Sequence, residues 1–163
     1  MILRAPANQL DSRMRTYWLV ESLMATAAAA AIAVIAFVVT ALAGASTAAW
    51  IVAAVGALVV VALLLSALVT PRLDYEHYRY EVTELGLYVA RGWLWRRWQI
   101  VPHARVQTVD TTAGPLLRAF GLVAIAVTTA SAAGSTSIPG LRPAVADVLV
   151  EELAHRAGIE EGT

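Results

Sequence analysis

From Ser22 to Pro71 no side chain carries a charge, and this run dominates the pattern of apolar and polar positions along the chain. The hydrocarbon core of a bilayer is ~30 Å thick and takes about twenty apolar residues per helix, so the run is long enough for two crossings. Gly44-Ala45-Ser46-Thr47 breaks it near its middle. The pattern predicts one helix over Ser22–Ala43 and a second over Ala48–Thr70, joined by a tight turn. Pro71 is expected to end the second, because proline cannot continue the backbone ladder. Upstream, Leu10, Met14, Tyr17 and Trp18 recur at helical spacing and suggest a short interfacial helix leading in.

Past Pro71 the period changes. Residues 71–77 read as a juxtamembrane linker. Tyr78–Thr83 then alternates Tyr78, Tyr80 and Val82 with Arg79, Glu81 and Thr83, as a half-buried strand does. Glu84-Leu85-Gly86 is a turn, and Leu87–Arg91 a second strand. Gly92 opens a hairpin into Arg96–Val101, which Pro102 ends; His103 and Ala104 bridge to a strand over Arg105–Thr111. Gly114-Pro115 punctuates, Leu116–Phe120 forms a helical turn, and Gly121–Thr129 is β-rich. Gly134 marks a turn, Thr136–Ile138 is short and extended, and Pro139-Gly140 closes the strand region. A final helix starts at Pro143 with Val145, Val148, Leu149 and Leu153 as its apolar face, and stops at Gly158. The predicted fold class is a membrane α-helical hairpin plus an α+β soluble domain. Its parts are an N-terminal segment over 1–21, the hairpin over 22–70 (22–43 and 48–70), the linker, a domain over 78–158 and a tail over 159–163.

Charge orients this arrangement. Arg4, Arg13 and Arg15 precede the first span, Arg72 and Arg79 follow the second, and the connecting turn has no basic residue. The positive-inside rule then places both termini in the cytoplasm. Arg13, Arg15, Tyr17, Trp18, Trp50 and Arg72 are the expected membrane-interface anchors, since aromatic belts and arginines favour that depth. Ala41-Leu42-Ala43 has the form of a signal-peptidase site, but the apolar run before it exceeds the 7–15 residues usual in a signal peptide. A second span also follows directly, so an uncleaved anchor is expected. The spans hold no Asp, Glu, Lys, Arg or His, the groups that mark ion paths and substrate sites in membranes, so transport is not expected. Ala25, Ala27 to Ala31, Ala33 and Ala36 permit close helix approach, either between the two spans or onto another membrane protein.

The chain of 163 residues contains no cysteine, which excludes disulfides, thiolate nucleophiles and thiolate metal sites. Its formal net charge is zero, leaving no global pull toward nucleic acid.

The stretch from Tyr80 to Leu141 resembles the bacterial pleckstrin-homology-like (PH-like) domains, in the membrane-anchored branch with two N-terminal transmembrane helices. The resemblance rests on Val82-Thr83-Glu84-Leu85-Gly86-Leu87, Arg91-Gly92-Trp93-Leu94-Trp95-Arg96-Arg97 and Ile100-Val101-Pro102. It continues through Arg105-Val106-Gln107-Thr108-Val109-Asp110, Gly114-Pro115-Leu116, Phe120-Gly121-Leu122, Thr128-Thr129-Ala130 and Ile138-Pro139-Gly140-Leu141. It implies a small β-barrel or sandwich capped by the C-terminal helix, in a bacterial plasma-membrane protein, and a binding module with no shared catalytic residues.

Candidate chemistry concentrates in one segment. Arg91, Trp93, Trp95, Arg96, Arg97 and Trp98 interleave indoles, which favour headgroup depth, with guanidinium groups, which pair with phosphates. They form a candidate partner or lipid-headgroup surface, unless the tryptophans pack into the barrel. No dense cationic cup is visible, so phosphoinositide recognition is not expected. Arg105, Gln107 and Asp110 read as structural residues at strand ends. His77, His103 and His155 lack metal-ligand spacing, and neither Thr128-Thr129 nor Ser131, Ser135, Thr136 and Ser137 sit in a nucleophile elbow or phosphate loop. The expectation is a non-enzymatic, cofactor-free adaptor or accessory subunit at the cytoplasmic face, binding a membrane-protein partner or itself. An anionic-lipid-sensing module is the alternative, and a small membrane enzyme a third reading.

Overall fold

The computed structural model describes residues 4–129 and 135–158, so Ala130, Ser131, Gly134 and the 159–163 tail lie outside it. The chain divides into two units, Trp18–Arg72 and the combination of Met1–Tyr17 with Leu73–Thr163.

The Trp18–Arg72 unit consists of the apolar lengths of two helices, α1 (Arg13–Leu42) and α2 (Ser46–His77). Both are long and apolar enough to cross a membrane. The turn between them is held by Ala43 N–H to Val39 O and Ala45 N–H to Thr40 O, with Gly44 in the left-handed region. Small residues set the approach of the helices: a Cβ added at Gly56 would stand 2.8 Å from the Ala33 Cβ. Phe37 and Trp50 close the turn end, ring centroids 6.1 Å apart. Hydroxyls inside the spans bond back along their own helix, Thr26 to the Ser22 carbonyl and Thr40 to that of Ala36, which satisfies them where no water is available.

Both helices exceed their predicted lengths. α1 begins at Arg13 rather than Ser22, absorbing the expected lead-in helix. α2 runs through Pro71 to His77, so residues 71–77 are its last turns and not a linker. Proline removes one ladder hydrogen bond, which spanning helices tolerate because packing and local adjustment satisfy the freed carbonyl; Pro71 is buried, as is Ala67 four residues earlier. Beyond it the last turn is secured by His77 Nδ1–H to Leu73 O and Tyr78 N–H to Asp74 O.

The second unit carries two antiparallel sheets. One has the order β1-β2-β3-β4, with β1 Asn8–Gln9, β2 Arg79–Val82, β3 Gly86–Arg91 and β4 Arg97–Pro102. The other has the order β5-β6-β7, with β5 Val106–Thr112, β6 Val123–Thr129 and β7 Thr136–Leu141. A short α3 (Pro115–Ala119) joins β5 to β6, and α4 (Pro143–Ala157) packs on β5, β6 and the 3-10 turn at His103–Arg105. Leu87, Val89 and Val101 of the first sheet, Ile125, Val127, Ile138 and Leu141 of the second, and Ala146 and Leu153 of α4 are buried and make up the core.

The element absent from the sequence reading is β1. Asn8 pairs with Tyr80 and Gln9 with Arg79, so the chain leaves this sheet, forms the whole helical hairpin and returns to the next strand. Residues 4–17 are thus part of the domain and not a separate N-terminal segment. Leu10 and Met14 are buried, and Met14 lies over Gly140, where a Cβ would come 2.6 Å from its Cγ and Sδ. Asp11 donates its N–H to Gly140 O (3.0 Å), accepts from Arg13 N (3.0 Å) and pairs with Arg142 (3.2 Å), pinning the start of α1.

Two smaller corrections follow from the same packing. β7 continues through Pro139-Gly140 to Leu141, because it is an edge strand, where a proline forfeits no ladder bond. On α4 the buried positions are Ala146, Leu149 and Leu153, whereas Val148 is exposed and Val145 borders on it. The small Ala146 permits the close approach, which turns the contact stripe away from Val148.

Candidate functional site

The predicted hairpin forms. β3 and β4 pair with Arg91 opposite Arg97 and Ala90 opposite Trp98, leaving Gly92–Arg96 as the connecting loop. Gly92 makes the loop possible: its φ is +86°, and a Cβ there would meet the Trp95 carbonyl oxygen at 2.3 Å.

All three tryptophans lie at the surface. Trp95 is 85% exposed, Trp98 45% and Trp93 39%, with Leu94 and Ile100 also open to solvent. Packing into the barrel, the alternative for these indoles, is therefore excluded. Core positions on this hairpin are filled instead by Leu87, Val89 and Val101. Trp93, Leu94, Trp95, Trp98 and Ile100 thus form a cluster of large apolar groups open to solvent at this end of the domain.

The fold adds residues that local sequence does not connect with the loop. β2 starts at Arg79, in register with Ala90, which in turn faces Trp98. This brings Arg79 and the last turn of α2 to the loop end of the sheet. A cleft of about 160 Å³ opens there, lined by Glu76, His77, Arg79, Arg91, Arg96, Arg97 and Trp98, among others. Four arginines thus share one cleft with a single carboxylate. Among the described residues none of the four is within 4.0 Å of a carboxylate; the ion pairs there are Arg4–Glu81, Arg142–Asp11 and Arg156–Glu152. The Arg91 guanidinium also acts on Tyr78, whose hydroxyl donates to the Ser137 carbonyl. Burial nevertheless pushes the Tyr78 phenol well above its ordinary value, and burial raises Tyr80 as well.

The expected interface anchors divide. Arg13 donates to Phe120 O at 3.4 Å and Tyr17 packs edge-on against the Phe120 ring, so both hold the domain to the first turns of α1. Trp18, Trp50 and Arg72 belong to the helical unit, with Trp50 largely exposed beside Phe37. Arg15 is exposed at the start of α1.

The remaining candidates are dispersed. His103 is buried with Nε2 on the Thr83 carbonyl at 2.9 Å, and Asp110 is exposed on β5, accepting from Thr108 at 3.1 Å. Arg105 and Gln107 are exposed, and His155 lies on the open side of α4. No group of three His, Asp or Glu among the described residues is placed to hold a metal ion.

Residues 17–157 match the family described as Bacterial PH domain. The chain is also 31% identical over 112 residues to UPF0699 transmembrane protein YdbS of Bacillus subtilis (strain 168), an alignment spanning 69% of each protein. No solved structure matches it.

Proposed function

The chain belongs to the bacterial PH domain family and is a transmembrane protein, and from that premise we propose that it is a non-enzymatic, membrane-anchored binding module. Its domain lies on the cytoplasmic face, as the arginine distribution favours. Its working surface is the Gly92–Arg96 loop with Trp98, which engages the anionic lipid of the inner leaflet. The observation that carries this reading is the outward placement of Trp93, Leu94 and Trp95 beside arginines that have no carboxylate partner among the described residues, at the end of the domain where the last turn of α2 lies. Indoles supply interfacial partitioning, and each arginine near an anionic surface adds about 1 kcal/mol.

The cysteine-free chain permits a direct test. Leu94→Cys and Leu85→Cys, labelled with an environment-sensitive fluorophore in full-length protein, report the two ends of the β3–β4 hairpin from exposed positions. In nanodiscs containing anionic lipid the probe at 94 should shift to the blue and be quenched by brominated acyl chains, with the effect weakening in salt. The probe at 85 should do neither. Identical behaviour at the two sites, or no response at 94, would sink the reading.

A second reading, docking of a membrane-protein partner or another copy of the chain, is favoured by β5. Among the described residues this seven-residue strand hydrogen-bonds to β6 alone, and it is exposed at Gln107, Thr108, Asp110, Thr111 and Thr112, an edge that strand addition could use. Native mass spectrometry from mild detergent decides it: a stoichiometric second protein or a dimer supports it, and a lone monomer removes it.

A further inference from the structure

One carboxylate lies within the helical unit. By charge pattern Glu21 belongs to the segment before the first span, but α1 continues through it, with Leu19, Val20, Leu23 and Met24 as its chain neighbours. Glu21 is exposed, and no cation stands within 4.0 Å of it among the described residues. An ionisable group at the edge of the hydrocarbon is costly unless something pairs with it. We propose that Glu21 is half of a self-complementary contact through which two copies of this chain pack their hairpins side by side. The other half is the Ser66–Thr70 hydroxyl pair of the second copy. This contact is independent of the lipid-facing loop and of the β5 edge.

The geometry of the hairpin carries the inference. Ala33 lies against Gly56, and Phe37 beside Trp50, so α1 and α2 run antiparallel with a fixed stagger. Counting equally outward from those two contacts brings Glu21 level with the stretch from Ser66 to Leu68. At 3.6 residues per turn Glu21 stands about 120° round α1 from Ala33, and Ser66 about 80° round α2 from Gly56, in the same rotational sense. In an antiparallel pair equal senses lead to the same flank. The carboxylate and the hydroxyls therefore share one side and one level of the hairpin. Thr26 and Thr40 return their hydroxyls to carbonyls of their own helix, whereas Ser66 and Thr70 bond each other at 3.2 Å on the exposed side. Either hydroxyl can be the donor in that bond, and the other keeps a proton to give.

This flank is complementary to itself about a two-fold axis along the bilayer normal. Such an axis sets α1 of one copy against α2 of the other at unchanged depth, so Glu21 faces Ser66 and Thr70 across the interface twice over. The carboxylate accepts and a hydroxyl donates, and hydrogen bonds from such side chains join helices in lipid. With neighbouring helices ~9 Å apart the two α1 helices lie on a diagonal of ~13 Å, so the two carboxylates do not meet. Ala25 and Ala28 on α1 and Ala62 on α2 continue the same flank and admit close approach. A second copy suits this flank better than a foreign helix, because it brings acceptor and donor together in two-fold register.

The cysteine-free chain allows the contact to be read by disulfide trapping. Ala25 and Ala62 are exposed and, by the same count, nearly level, so the two-fold pairs Ala25 of one copy with Ala62 of the other. Full-length Ala25→Cys and Ala62→Cys chains, mixed and reconstituted at low density in phosphatidylcholine liposomes, should give a cross-linked dimer on oxidation. Neither variant alone should do so. Adding Glu21→Ala to both chains should lower the yield about tenfold, since two symmetric hydrogen bonds are lost. Glu21→Gln, whose amide oxygen still accepts, should restore most of it. Ser66→Ala/Thr70→Ala should reproduce the loss in chains that keep Glu21. Equal yield from Ala25→Cys alone, a mixed yield unchanged by Glu21→Ala, or no mixed dimer would each overturn the proposal. Liposomes without anionic lipid keep this outcome apart from the reading of the loop. Absence of the mixed dimer with an intact probe response at Leu94→Cys removes this contact and keeps the loop; the reverse keeps the contact and removes the loop.

Discussion

The helical hairpin and the domain use the same apolar residues in opposite senses. In the hairpin Leu58 is 70% exposed, and Ile32, Val34, Leu42 and Leu65 also point outward. In the domain Leu87, Ile125, Ile138 and Leu153 are fully enclosed. Neither pattern is anomalous for its solvent. A lipid-facing side chain gains nothing from burial, so the hairpin relies on close approach at Ala33 and Gly56, whereas the domain draws its stability from removing apolar surface from water. The Trp93–Trp95 loop belongs to the domain by chain position but shares the hairpin's outward habit, and the proposed lipid-facing role rests on that exposure.

The domain half of this contrast breaks most readily at Met14. Met14→Ala removes a fully buried side chain that fastens α1 to β7 over Gly140, and should cost about 2–5 kcal/mol, read as a lowered unfolding midpoint of the domain in detergent. An unchanged midpoint would mean that residues 4–17 do not belong to the domain core. By the same logic, a fragment beginning at Tyr78 lacks β1, Leu10 and Met14 and should be markedly less stable than the full chain.

The hairpin half is broken by charge. Leu58→Arg places a guanidinium near the middle of the second span and should raise the apparent insertion free energy by about 3 kcal/mol. Leu85→Arg, at an even more exposed leucine of the domain, should stay within about 0.5 kcal/mol of wild type in stability. A membrane-insertion assay on the first and thermal unfolding of the second check the pair. Similar consequences at both positions would erase the distinction.

The smallest effect sharpens the comparison through pH. Tyr78 holds its proton more firmly when folded than when unfolded, its ordinary value being 10.0. Its contribution is present in full below about pH 10 and is lost as pH rises beyond, because only the unfolded tyrosine then ionises. Alkaline titration of full-length protein should loosen the domain while the charge-free hairpin keeps its helical signal, and Tyr78→Phe should flatten that dependence. Simultaneous loss of both signals would indicate a single cooperative unit.

Several features of this protein were legible in the sequence because they depend on local or one-dimensional properties. The spans follow from an absence of charge long enough to match a bilayer, the β3–β4 hairpin from Gly92 between two strand patterns, and α4 from Pro143 and Gly158 at its ends. The exposed indoles were visible as a cluster, although not on which side they lay. What only the tertiary structure decided involves residues far apart in the chain. A two-residue strand such as β1 has no period to read, and its pairing with Tyr80 and Arg79 spans the entire hairpin. Passage of α2 through Pro71 comes with burial of Pro71 and Ala67, a setting in which a spanning helix tolerates the missing ladder bond and the propensity of proline to stop a helix is overridden. The inward stripe of α4 depends on which side chain the β5–β6 surface admits, and the sheet takes Ala146 rather than Val148. The arginine cleft has the same origin: Arg79 lies twelve or more positions from Arg91, Arg96 and Arg97, and only antiparallel pairing of β2, β3 and β4 carries it to their end of the sheet.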